Sequence, residues 1–232
     1  MTHTPMVNGI VAMLVLSIAL RNAACTMAQG LKKGDAKVSR ELCDTWVRQL
    51  ANRSKCPFSE PYTLEPPQNV DRKGLEVVKV AYEKLASHFE IALPSLISGL
   101  RDRRYSYYQE VPTNGAFVCH DVGDACYDLI SRRIEVYRGS LEELDETGVP
   151  RSPDFIDAQG GVEKWYASRI GRLLLDLQLE AIDWALKQPK DKRISDDVDW
   201  AKNLAALRSF RERLVKGRRP HEPRITLQFE GK

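Results

Sequence analysis

Cys119 and His120 stand next to each other, and Asp121, Asp124 and Asp128 follow at helical spacing. A cysteine beside a histidine could be a nucleophile and its base. Adjacent side chains point to opposite faces of a strand and align poorly on a helix. Such a dyad also needs a third group to orient the base, and a disulfide-bonded Cys119 could not attack at all. The preferred reading therefore assigns no catalytic residue. The alternative is a hydrolase in which His120 works with Asp121 or Glu110. Asp121 and Asp124 have a simpler role at a helix start, the first as an N-cap and the second near the positive end of the helix dipole. The acidic residues lack the calcium-loop pattern, and the Cys/His set, with His120 as its imidazole, fits no zinc spacing. A phosphate loop, a dinucleotide fingerprint, a Gly-x-Ser-x-Gly elbow and a His-Glu-x-x-His motif are all missing from the sequence. No metal and no cofactor are expected.

Tyr105, Tyr107 and Tyr108 fall between Arg103 and Glu110 in a stretch that reads as a loop, closed by the turn pair Asn114-Gly115. Helical runs on either side would hold its ends, and a loop fixed on a scaffold is where binding residues tend to sit. Aromatic rings there lose little conformational entropy on meeting a ligand. The expected binding surface is Tyr105, Tyr107 and Tyr108, with Arg103 and Glu110 setting its polarity. The partner would be a protein, a peptide or a glycan. The competing expectation is that the rings plug the helical core.

These residues belong to a chain of 232 residues, 43% hydrophobic and 29% charged, which is the composition of a folded globular protein. The formal net charge is +3, and Lys and Arg are interleaved with Asp and Glu. That pattern gives no basic face for a nucleic acid. Lys216, Arg218 and Arg219 suit a helix C-terminus.

Residues 10–20 form an unbroken apolar run, too short to span a bilayer comfortably. Small residues follow at Ala23, Ala24, Cys25, Thr26 and Ala28. This is the pattern of a secretory signal over residues 1–28, although no Lys or Arg precedes the run. An uncleaved anchor is the alternative. Asn22-Ala23-Ala24-Cys25 also resembles a bacterial lipobox ending in a lipidated Cys25, with Asn22 standing where a Leu is expected. Membrane association is expected only through one of these two routes. Export makes the protein periplasmic or secreted, and the four cysteines beyond Cys25 are then expected as disulfides. The two local pairings, Cys43–Cys56 and Cys119–Cys126, each close a short loop worth about 2–3 kcal/mol.

The elements that must position these residues read as mostly helical. Ser39 caps a helix carrying Leu42, Trp46, Val47 and Leu50. Pro57, Pro61, Pro66 and Pro67 make the next stretch an extended strap. The strap places a boundary at residue 71, dividing residues 29–71 from a helical main domain over residues 72–232. Leu75, Val78, Ala81, Tyr82, Leu85 and Phe89 keep a helical period, and Pro94 then opens a second helix. Ala92-Leu93-Pro94-Ser95-Leu96-Ile97, with Leu100 and Asp102, resembles one HEAT-type helical repeat. The resemblance implies stacked antiparallel helices and no activity. Further helices are expected from Asp121, over Leu141 and Leu144, from Ser152, around Trp165 and Ile170, over residues 173–188 and from Ser195. The fold class is an antiparallel helical bundle or a short HEAT-like stack. At most a minor β element joins residues 116–118 to the tail at residues 225–229, where Ile225, Leu227 and Phe229 alternate.

Overall fold

A computed structural model describes residues 38–59, 62–111, 115–136, 155–189 and 197–222, together with Ile225 and Leu227. The signal over residues 1–28, the helical turn at Leu141 and Leu144, and the caps at Ser152 and Ser195 lie outside the described residues.

Eight helices and three short strands are present among the described residues. In chain order they are α1 (Arg40–Gln49), β1 (Tyr62–Thr63), α2 (Arg72–Ser87), α3 (Phe89–Gly99), β2 (Tyr105–Val111), β3 (Ala116–Asp121) and α4 (Val122–Ile134). After these come α5 (Phe155–Ala158), α6 (Val162–Ala167), α7 (Leu174–Ala185) and α8 (Asp197–Gly217). The mostly helical expectation holds, with a three-stranded antiparallel sheet added.

Three helix starts have a side-chain cap. The Ser39 hydroxyl accepts from the Leu42 amide at 3.3 Å, and an Asp71 carboxylate oxygen accepts from the Gly74 amide at 2.9 Å. Asp121 and Asp124 form a full capping box on α4, each side chain accepting from the other's backbone N–H, at 2.8 and 3.0 Å. The break between α2 and α3 falls at His88, whose ψ of 33° leaves the helical region. Pro94 therefore lies inside α3 and does not open it. Only His88 separates α2 from α3, and each packs more closely on α1 than on the other.

α1 is a full member of the core. Cys43 and Leu50 are completely buried, and Trp46 stacks on His88 at the α2–α3 junction with ring centroids 5.6 Å apart. The described residues from Val38 onward form one compact unit, with α1 packed on α2 and α3 across the strap. The strap lies across the sheet, where Phe58 packs edge-on to Tyr108 at 5.8 Å and against Phe117 at 5.9 Å.

The sheet order is β1-β3-β2. β1 pairs with Phe117 and Val118, so that edge of β3 is not open to the tail. Ile225 and Leu227 are instead buried in the helical core. The tail's approach is set by Gln178, a fully buried side chain of α7. Its amide donates to the Arg133 and His221 carbonyls and its oxygen accepts from the His221 N–H, all at 2.8 Å.

The disulfide joins Cys56 to Cys119, with Cα atoms 6.3 Å apart. Cys43 and Cys126 are buried free thiols. Neither expected pairing, Cys43–Cys56 or Cys119–Cys126, forms. Cys119 shares a sheet face with Phe117 and Tyr108 and so faces the strap. Cys43 and Cys126 lie on the inner faces of α1 and α4. The bond is compatible with an oxidising location outside the cytoplasm. Among the described residues no helix is long and apolar enough to cross a membrane.

Candidate functional site

The expected tyrosine loop is strand β2. Tyr107 and Tyr108 pair with His120 and Cys119 across an antiparallel ladder. Successive side chains on a strand face opposite ways, so one ring goes to each side of the sheet. Both are buried, 3% and 2% exposed, and neither offers its ring to a partner. Tyr105 is half-buried at the start of the strand. The strand was legible in two signals: the aromatic density of Tyr105, Tyr107 and Tyr108, and the Asn114-Gly115 turn pair preceding a second extended run. The ladder shifts register between Tyr105 and Tyr107, a bulge at Ser106 that turns Tyr107 toward the helices.

There Tyr107 stacks on His120 with centroids 4.7 Å apart. His120 Nδ1 lies 3.9 Å from an Asp124 carboxylate oxygen. One turn along α4, Asp128 accepts from the Tyr82 hydroxyl and, at 2.8 Å, from Arg132 Nε. Burial is the main cause of the raised Tyr82 and Tyr107 pKa values, with the Asp128 charge second. Both phenols stay neutral. Burial also lowers the His120 pKa, against the pull of Asp124, Asp128 and Asp121. The imidazole thus stacks on the Tyr107 ring with Asp124 as its near carboxylate.

The hydrolase arrangement is only half assembled. Asp121 accepts from the Arg103 guanidinium at 3.0 Å and caps α4. Glu110 is paired with Phe117, well up the ladder from His120 and on the sheet face that carries Tyr108. His120 is brought to Asp124 and not to Glu110. Arg103, just before β2, and Glu110, near its far end, were expected to flank one binding surface and instead sit toward opposite ends of the strand. Among the described residues no cluster of His, Cys, Asp and Glu is suited to a metal ion.

The sequence reading missed a cleft of about 540 Å³ bounded by α5, α7 and α8. α7 supplies most of it. Trp184 forms an aromatic wall, half-buried and leaning on the buried Phe155 with centroids 5.7 Å apart. Asp176, Glu180 and Asp183 come from one side of the same helix, at spacings that bring them together. Arg172 enters from the loop before α7 and Arg211 from α8, with Lys187 at the end of α7. Glu180 accepts from both Arg169 and Arg172, and the hydrogen bond from Arg169 is the first cause of its lowered pKa. Asp183 holds Arg211 in a two-point pair, at 2.5 and 3.1 Å. The loop carrying Arg172 turns through Gly171, at φ +82°. It projects Ile170, 72% exposed, which the helical period had placed on a helix.

A second cleft, about 440 Å³, lies between the α4 and α6 starts. Of its cations, Arg101, Arg103 and Lys164, the two arginines are paired, with Glu163 at 2.9 Å and Asp121 at 3.0 Å. Comparison with known proteins finds no matching family model, no matching curated protein and no matching solved structure.

Proposed function

We propose that this is an exported, non-catalytic binding protein whose ligand-contact surface is the α7 cleft. The observation that carries the reading is the construction of that cleft. A fixed aromatic wall stands over side chains already held in place by ion pairs, so little ordering is required when a ligand arrives. The binding role read from the tyrosine stretch is kept, and its site moves from β2 to α7. The Cys56–Cys119 bond supports the exported setting.

The test is capture from a cell-envelope extract by immobilised mature protein, compared with a Trp184→Ala variant and with Tyr62→Ala, an exposed ring on β1. The reading requires capture to fall for Trp184→Ala while Tyr62→Ala captures normally and both keep a cooperative melt. Equal capture by all three proteins refutes it.

A further inference from the structure

We infer that the α7 cleft takes a neutral saccharide. The inference rests on the binding reading above and names the ligand class for the same cleft.

Charge excludes the simplest alternatives. Among the described residues the lining contains three cations, Arg172, Lys187 and Arg211, and three carboxylates, Asp176, Glu180 and Asp183. The formal sum is zero. An anion entering the cleft would meet the carboxylates, and a cation would meet the guanidinium groups, with no surplus of either sign to offset desolvation. A neutral ligand rich in hydroxyl groups can use both kinds, donating to carboxylates and accepting from guanidinium and ammonium N–H groups. Gln159, also in the lining, adds an amide that does both. Trp184 supplies the remaining requirement. One face of a pyranose ring presents C–H bonds, and it stacks on a flat aromatic surface as other apolar groups do. A peptide would call for several apolar pockets or an open sheet edge, and the apolar lining of this cleft is a single patch of Trp184, Phe155 and Leu179. The volume of about 540 Å³ falls within the range of about 300–1,000 Å³ usual for small-molecule sites.

Saturation-transfer NMR on the mature protein tests this with maltose, cellobiose and chitobiose as neutral probes. Glucose 6-phosphate and spermidine serve as anionic and cationic controls. At least one neutral disaccharide should bind in the millimolar range or tighter, and neither control should bind comparably. Trp184→Ala should weaken that binding at least tenfold. Because Trp184 leans on Phe155, an independent variant carries the test if Trp184→Ala melts poorly. Asp176→Ala with Lys187→Ala changes only exposed side chains and should weaken binding several-fold at an unchanged melting temperature. Binding confined to a charged control, no binding of any saccharide, or binding indifferent to the Asp176/Lys187 pair overturns the inference. If saccharides fail while Trp184-dependent envelope capture persists, the ligand class is wrong and the binding reading stands. If both fail, both fall.

Discussion

Gly123 opens α4 against the carbonyl of Leu100, and its own N–H donates to the Asp102 carbonyl at 2.9 Å. A Cβ at this position would lie 2.4 Å from the Leu100 oxygen, a backbone atom that cannot swing aside. Gly123→Ala should therefore destabilise by about 2–3 kcal/mol, as overpacking does, and a urea midpoint lowered by that amount with an unchanged slope is the expected measurement. A hydrophobic pattern does not reveal this constraint, because it comes from two backbones meeting. His120 offers a second test at the same scale. Its folded pKa lies below the ordinary histidine value of 6.5, so the unfolded chain takes up the proton first as pH falls. The contribution of a neutral His120 is complete above 6.5 and is lost as pH drops through 6.5 toward the folded value. Melting temperature should fall between about pH 7.5 and about pH 5, and it should fall less in His120→Gln. A variant that matches wild type across that interval would show that His120 does not titrate differently on folding.

At the scale of elements, the strap depends on one covalent tie. Cys56 and Cys119 are 63 residues apart in sequence, a loop whose closure removes about 4 kcal/mol of unfolded-state entropy. Cys56→Ser with Cys119→Ser should lower stability by about that amount. Wild type in reductant should follow the variant, and the reductant should leave the variant unchanged. Thiol labelling of the native protein should leave Cys43 and Cys126 unreacted until denaturant is added, since both are fully buried and burial pushes the Cys126 thiol up to about 12. The helices were legible in the sequence because their causes are local: Ser39, Asp121 and Asp124 cap where expected, and Gly217 ends the last helix. The disulfide was not, because sequence distance favours neighbours, whereas the sheet turns Cys119 toward the strap and α4 turns Cys126 into the core. β2 reads as a loop in the sequence because Ser106, Gln109 and Glu110 dilute its apolar character. Its burial comes from Phe58 on one side and the helices on the other. The α7 cleft combines Phe155, Arg172, Trp184 and Arg211, and only tertiary packing brings those positions together.

For the whole molecule, the strap raises the question of one folding unit or two. Four prolines interrupt the chain between α1 and α2, and a sequence reading divides it there. The packing does not. Cys43, Trp46, Val47 and Leu50 belong to the same buried cluster as Leu75, Val78, Leu96 and Cys126. Val47 and Cys126 meet over Gly99, where an added Cβ would lie 2.8 Å from each. The polar contacts agree, since the Asn52 N–H donates to the Tyr105 carbonyl at 2.8 Å and ties the end of α1 to the first residue of β2. Removing residues 38–71 would expose the inner faces of α2, α3 and α4 together and leave Cys119 without its partner Cys56. Burying a large apolar side chain is worth about 1.5–3 kcal/mol, so the loss of three such anchors, Trp46, Val47 and Leu50, is of the same order as the whole stability of a domain, about 5–15 kcal/mol. A fragment of residues 72–232 should therefore fail to fold alone. It should show no cooperative thermal transition, bind a hydrophobic dye and be cut rapidly by protease, while residues 38–232 melt in one transition. A sharp transition for the fragment, near that of the longer chain, would restore the boundary at the strap and make α1 an accessory.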